Sequence, residues 1–204
     1  MTMPLETHLI LTLDSDRLGE FFALFQQGVA VHIRLGCTLE ELLCSQWEMD
    51  PEYVKSRITT IFLNNRAIDD IAATHVGEGA VLALSGAMPG LVGATMRRGG
   101  FYAAMRGAMT YRENEDARTQ GCSTLRLKLF NLLLPELSLH FLKRGIVLER
   151  GRAMAFFRER EPEFWSGCHL ALLNGTQVTP HIFSTTEWLT TEHLMLMVND
   201  RNAP

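Results

Sequence analysis

The chain has 204 residues, of which 47% are apolar and 21% are charged, and its formal net charge is -4. This length allows one large domain or two domains of about 100 residues. A half of that size can bury a hydrophobic core without metal or disulfide staples. The slightly acidic balance lacks the basic surplus of nucleic-acid-binding proteins, so we expect no nucleic-acid partner.

The N-terminal stretch 1–13 has no basic n-region, and its apolar run is too short for a secretory signal. No segment approaches the roughly 18 consecutive apolar residues of a transmembrane helix. The cysteines are scattered rather than arranged as CxxC pairs, which favours reduced thiols. They are Cys37, Cys44, Cys122 and Cys168. We therefore expect a cytoplasmic protein without a transmembrane segment.

The first half of the chain predicts strands combined with helices. Apolar residues alternate over 8–13, which predicts a strand, and a helical period follows over 16–27. A second apolar strand is predicted over 29–35. Thr38 and Glu41 have the spacing of a capping box, so the next helix is predicted to begin near Thr38.

Shorter elements complete the first half. Asp50 and Pro51 predict the start of a helical piece over 52–57, because proline fits the first turn of a helix. Apolar runs over 60–63 and 80–84 predict two further strands. The predicted order is strand, strand, helix, strand, strand, with an additional helix after the first strand.

Several of these patterns return in the second half, which indicates an internal repeat. Leu9, Leu11 and Leu13 return as Leu125, Leu127 and Leu129, and Leu63-Asn64-Asn65 returns as Leu173-Asn174-Gly175. The main helix of the second copy is predicted over 152–160. The alternative is that a leucine-rich chain aligns with itself by chance.

The order of elements, together with the residues at 38–43, 62–68 and 77–84, resembles the β-grasp sulfur-carrier family. This family comprises the ubiquitin-like small subunits of molybdopterin synthase and the thiamine sulfur carrier. The resemblance covers about residues 8–90, and the second half is similar to a degenerate copy. It implies an α+β fold of two tandem β-grasp-like units, each with a mixed sheet packed on a helix. The implied domains are residues 1–90 and 122–204, joined by a Gly/Met-rich connecting segment, 91–121.

Sulfur carriers end in Gly-Gly, whose free carboxylate is adenylated and converted to a thiocarboxylate. This chain continues past Gly90, and its Arg97-Arg98-Gly99-Gly100 sequence is followed by Phe101. The resemblance therefore implies carrier chemistry only after proteolysis at Gly90 or Gly100. We keep this as an alternative function, together with a small-ligand enzyme that uses a crevice between the two halves.

The region 86–121 is the strongest candidate for a functional surface. Its apolar residues between Thr95 and Tyr111 fall near helical spacing, with arginines beside them. A methionine-rich helix of this kind can bind a protein partner or a lipid surface. The alternative is a linker helix whose apolar stripe belongs to the core. The candidate partner-binding residues are Met96, Arg97, Arg98, Phe101, Tyr102, Met105, Arg106 and Met109.

Motifs for metal binding and catalysis are missing. Cys168 and His193 are weak metal candidates, because their strands could be neighbours, but the close ligand pairs of zinc sites do not occur. The sequence contains neither Gly-x-Ser-x-Gly nor HExxH, so we expect no catalytic residues and no cofactor. Cys37 precedes the predicted helix at Thr38, where its pKa could be lowered. The alternative is that Cys37 is a small buried apolar residue.

These patterns favour a non-enzymatic module that binds a protein partner or a small-molecule ligand. Sheets of the β-grasp type leave exposed edge strands, and such edges can pair with another chain. Self-association is therefore a further expectation.

Overall fold

The computed structural model describes residues 6–86, 88–109, 121–185 and 188–202. Contacts divide the chain into two compact units, which we name for their positions in the sequence. The terminal unit consists of Met1–Ala23 and Leu137–Pro204, and the central unit is Leu24–Glu136. Each unit combines helices with a mixed sheet, so the predicted α+β class is confirmed.

The described residues form ten strands and six α-helices, together with further helical segments. The strands are β1 (Glu6–Leu13), β2 (Val29–Leu35), β3 (Thr60–Leu63), β4 (Arg66–Ala67), β5 (Val81–Ser85), β6 (Gly121–Phe130), β7 (Ile146–Glu149), β8 (Cys168–Leu173), β9 (Thr176–Gln177) and β10 (His193–Asp200). The α-helices are α1 (Phe22–Gln27), α2 (Pro51–Ser56), α3 (Gly90–Met96), α4 (Leu133–Arg144), α5 (Arg150–Arg158) and α6 (Pro162–Ser166). Segments of 3₁₀ helix cover Ser15–Phe21, Phe101–Met109 and Pro180–Ser184, and Glu41–Gln46 forms a π-helix.

The sheet of the central unit has the strand order β4-β3-β5-β6-β2. β5 and β6 are parallel, whereas β3 and β2 pair antiparallel with β5 and β6, respectively. Alternate side chains of β5 and β6 are buried, including Leu82, Leu84, Leu127 and Leu129. These leucines form one apolar face of the sheet, because successive side chains of a strand point to opposite faces.

The sheet of the terminal unit has the strand order β7-β10-β1-β8-β9. β1 is parallel to β10 and antiparallel to β8. Aromatic residues form much of the core of this unit. The ring of Phe157 lies 5.1 to 6.0 Å, centroid to centroid, from the rings of Phe156, Trp165, Phe183 and Trp188. Aromatic pairs at these distances contribute more than their buried area alone.

Each half of the chain contributes five of the described strands, but the first strands of the two halves are exchanged. β1 pairs with β8 and β10 of the second half, whereas β6 pairs with β2 and β5 of the first half. Each compact unit therefore draws strands from both halves. This division differs from the consecutive segments 1–90 and 122–204 that we expected, and pairings between such distant residues leave no local signal in the sequence.

Several local predictions are confirmed. The backbone N–H of Thr38 donates to Glu41 Oε2 at 2.8 Å, and the N–H of Glu41 donates to Thr38 Oγ1 at 3.2 Å, as a capping box requires. Asp50 accepts from the N–H of Glu52 at 2.9 Å, with Pro51 in the first turn of α2. These signals depend on residues two or three positions apart, which explains why the sequence alone predicts them.

Other predictions need correction. The helical spacing predicted between Thr95 and Tyr111 is interrupted, because α3 ends at Met96 and the 3₁₀ helix begins at Phe101. Gly99 adopts a φ of 63° between them, in the left-handed region that glycine tolerates. Residues 110 and 111 lie outside the described residues. The helix predicted over 152–160 begins two residues earlier, as α5. No helix in the described part of the chain is both long enough and apolar enough to cross a bilayer.

Candidate partner-binding surface

Five large apolar side chains in α3 and the following 3₁₀ helix are exposed to solvent. They are Leu91, Val92, Phe101, Tyr102 and Met105, and we call them the apolar surface. Phe101 is 93% exposed and Met105 is 71% exposed. The rings of Phe101 and Tyr102 pack edge to face, with their centroids 5.2 Å apart. Because isolated exposed leucines are common but grouped apolar residues are not, this concentration makes the segment a candidate binding surface.

The arginines of the same segment hold it against the rest of the central unit. The side chain of Arg106 is fully buried, and its Nη2 donates to Asp69 Oδ1 at 2.5 Å. The backbone N–H of Gly99 donates to the same oxygen at 3.1 Å. Asp69 therefore joins the residue pair before the 3₁₀ helix to the interior of that helix. Among the described residues, the buried Nε and Nη1 of Arg106 have no hydrogen-bond partner.

Arg98 makes a second set of contacts with the central unit. Its backbone N–H donates to the carbonyl of Thr59 at 2.8 Å, and its Nη2 donates to the carbonyl of Val54 at 3.0 Å. Burial lowers the pKa of Arg98, whereas the nearby Asp69 and Cys44 raise it. Arg98 and Arg106, which we predicted to bind a partner, thus face protein groups of their own unit. Of the predicted arginines, Arg97 is the exposed one.

The remaining predicted residues differ in exposure. Met96 is half-buried at the end of α3, whereas Phe101, Tyr102 and Met105 are exposed. Met109 ends the 3₁₀ helix, but its side chain lies outside the described part of the structure. The exposure of the aromatic residues and Met105 favours a partner-binding surface over a core stripe. Leu91 and Val92 were missed, although their position in a Gly-rich apolar stretch was a usable signal.

Cys168 and His193, the weak metal candidates, do not come together. β1 lies between their strands: Cys168 pairs with Leu13 at one end of β1, and His193 pairs with Glu6 at the other end. Burial raises the pKa of the Cys168 thiol, which disfavours the thiolate that binds metal. The described residues contain no group of three His, Cys, Asp or Glu side chains that could hold a metal ion.

The interpretation of Cys37 as an activated nucleophile is not supported. Burial is the largest influence on the Cys37 thiol and raises its pKa. Its Sγ donates to the carbonyl of Arg34 at 3.3 Å and accepts from Gln46 Nε2 at 3.0 Å. A thiol with a raised pKa is mostly protonated near neutral pH and therefore weakly nucleophilic.

Sequence reasoning missed one polar cluster, in the terminal unit. His169 Nε2 lies 2.8 Å from Asp14 Oδ1 and 3.1 Å from Arg201 Nη1. The nearby Ser15 hydroxyl donates to Asp200 at 2.8 Å instead of contacting the imidazole. The cluster thus provides charge pairing at the ends of three strands and does not form a serine–histidine pair. Its members are too distant in sequence to form a motif.

Comparisons of the chain with protein-family models, with curated proteins and with solved structures found no match. A function for this chain must therefore be inferred from its own structure.

Proposed function

We propose that the chain is a non-enzymatic interaction module that binds a protein partner through its apolar surface. One observation carries this proposal: five large apolar side chains are exposed within α3 and the following 3₁₀ helix, with Phe101 almost fully in water. Burying a phenylalanine side chain contributes about 1.5–3 kcal/mol. Aromatic residues and methionine are also enriched in protein interfaces.

The hydrogen bonds behind the apolar surface support this function. Arg98 and Gly99 fix the connection between α3 and the 3₁₀ helix, and Arg106 fixes the interior of the 3₁₀ helix, to other residues of the central unit. A surface held in place before binding loses less conformational entropy when a partner docks. Exposed apolar side chains on a fixed backbone are therefore better suited to recognition than the same side chains on a mobile loop.

We further propose that the two halves are β-grasp-like units related to the sulfur carriers, with the Gly99-Gly100 pair at an internal position of the chain. The five strands described in each half and the parallel strand pair in each unit support this relation. The Gly99 N–H is bonded to Asp69, and the chain continues into the 3₁₀ helix at Phe101. We propose the cytoplasm as its location, which the four free cysteines support.

A photo-crosslinking experiment tests the partner-binding function. A benzophenone amino acid replaces Phe101 in the full chain, which is expressed in its native host and irradiated. The expected result is an adduct of defined mass, identified by mass spectrometry, because a bound partner would lie within reach of residue 101. An adduct of twice the mass of the chain would identify a second copy as the partner.

The matched control carries the same amino acid at Leu132. This residue is 52% exposed and lies outside the apolar surface. It should give no defined adduct. Equal labelling at both positions, or no light-dependent adduct at residue 101, would refute the proposed function.

A further inference from the structure

One face of the central sheet contains a cavity of about 230 Å³ that the proposed partner-binding function does not use. Its described lining consists of Phe62, Ala83, Ser85, Met88, Phe130 and Asn131. Most of this lining is carbon, so the cavity is suited to an apolar occupant.

Strand register explains why the cavity forms at this position. Phe62 on β3 pairs with Ala83 on β5, and Ser85 on β5 pairs with Phe130 on β6. Ala83, Ser85 and Phe130 alternate with the buried leucines of β5 and β6, so they lie on the opposite face of the sheet. Phe62 lies on that face too, because it is paired with Ala83. The small side chain of Ala83 leaves space beside the two phenylalanine rings.

The Ser85 hydroxyl lines the cavity, and it can donate one further hydrogen bond. Asn131 Nδ2 donates to Ser85 Oγ at 3.0 Å, so this oxygen acts as an acceptor. Ser85 is only 5% exposed, and among the described residues its hydroxyl hydrogen has no acceptor. A buried donor without an acceptor is unfavourable. A ligand atom that accepts this hydrogen bond would satisfy it.

We propose that this cavity binds a small aromatic molecule that carries one hydrogen-bond acceptor. The ring would pack against Phe62 and Phe130, and the acceptor would bind the Ser85 hydroxyl. An apolar cavity of about 150 Å³ holds benzene, so this larger cavity fits a single substituted ring. It is smaller than the roughly 300 Å³ at which pockets for drug-sized ligands begin. The inference does not depend on the apolar surface, because the two sites share no residue.

The test compares two probes of similar shape, acetophenone and ethylbenzene, of which only acetophenone has a carbonyl acceptor. Each is titrated into the ¹⁵N-labelled full chain, and amide chemical shifts are recorded. Both should give saturable shifts at Phe62, Ala83 and Phe130. Acetophenone should bind roughly fivefold more tightly, as one net hydrogen bond predicts. The absence of saturable shifts at these residues would overturn the proposal.

Two variants separate binding in the cavity from weak binding elsewhere. Ala83→Leu fills the space beside the phenylalanine rings and should abolish the saturable shifts for both probes. Ala73→Leu makes the same change at an exposed alanine of the central unit and should bind like the wild type. If Ala83→Leu binds both probes normally, the cavity is not the site.

Ser85→Ala tests the hydrogen bond, and it still tests the site if the Ala83→Leu variant fails to fold. This variant keeps the space but lacks the donor. It should bind acetophenone and ethylbenzene with equal affinity, with ethylbenzene binding unchanged. A Ser85→Ala variant that still prefers acetophenone fivefold would refute the assigned role of Ser85.

Discussion

The terminal and central units differ in how they use aromatic side chains. In the terminal unit, Phe157, Phe164 and Phe183 are almost completely buried in a cluster of rings. In the central unit, Phe101 and Tyr102 are exposed on a segment that hydrogen bonds to Asp69 hold in place. The first arrangement stabilises the unit, whereas the second leaves apolar surface available to a partner. The same residue type thus has opposite roles, which the surrounding contacts decide.

The largest expected effect comes from removing the exchanged strand β1. Deletion of residues 1–23 removes the neighbour of both β8 and β10, together with the fully buried Leu9, Leu11 and Leu13. We expect complete loss of ordered structure in the terminal unit, while the central unit keeps its own strands. Amide NMR spectra of the truncated chain would show dispersed signals only from residues 24–136. Dispersed signals from the terminal unit would contradict the exchange.

Two fragments of the chain test the same strand exchange. A fragment of residues 24–136 contains every strand of the central sheet and should fold alone. A fragment of residues 1–90 lacks β6, which lies between β5 and β2, so we expect it to remain unfolded. Circular dichroism and NMR dispersion would distinguish them. If 1–90 folds and 24–136 does not, the units are consecutive in sequence.

The next largest effect concerns the aromatic cluster. Phe157 is 1% exposed and contacts four other rings. Phe157→Ala should lower the free energy of unfolding by about 3–5 kcal/mol, because it removes buried surface and leaves a cavity. Phe101→Ala is the matched control in the exposed segment and should change it by less than about 0.5 kcal/mol. Urea denaturation measures the free energy of unfolding of both variants. Similar losses for the two would contradict the difference between buried aromatic residues in the terminal unit and exposed ones in the central unit.

A smaller effect is expected at Asp69, which holds the 3₁₀ helix behind the apolar surface. Asp69→Ala removes the acceptor of Gly99 and Arg106 and leaves a buried guanidinium unpaired. A hydrogen bond to a charged group contributes about 1.5–3 kcal/mol, so we expect a loss in this range in urea denaturation. Asp16→Ala, at an exposed carboxylate, should change stability by less than about 0.5 kcal/mol. Equal effects of the two substitutions would show that Asp69 does not hold the segment.

The sequence predicts the local part of this architecture better than its long-range part. The capping box at Thr38 and the strand over 29–35 depend on neighbouring residues and have the predicted form. The exchange of β1 and β6 depends on pairing between distant residues: β1 pairs with residues 187 positions away on β10, and β6 pairs with residues 86 to 98 positions away on β2. Alternating leucines are compatible with either partner. The sequence therefore predicts individual strands but not which half of the chain each first strand joins.

The sequence likewise predicts only part of the candidate partner-binding surface. The sequence identifies the segment, because glycine, methionine and arginine are concentrated there. It does not separate exposed from buried members, since an arginine such as Arg106 is normally assigned to the surface from its charge alone. Its burial becomes visible only when the fold brings Asp69 beside it. Exposed aromatic residues are equally hard to predict, because the same spacing is typical of a core helix.

The smallest effect concerns a partly exposed ion pair in the central unit. Arg57 forms an ion pair with Glu136, and the Tyr53 hydroxyl donates to Glu136 Oε2 at 2.6 Å. Hydrogen bonds from Arg57 and then from Tyr53 lower the pKa of Glu136. A lowered folded-state pKa stabilises the protein above the unfolded-state pKa of about 4.3, and this contribution disappears as pH falls through the folded-state value. Glu136→Gln should therefore be less stable than the wild type at pH 7, and the difference should vanish in acid. Thermal unfolding of both proteins between pH 7 and pH 3 measures this, and a difference that grows in acid would exclude the ion pair as its cause.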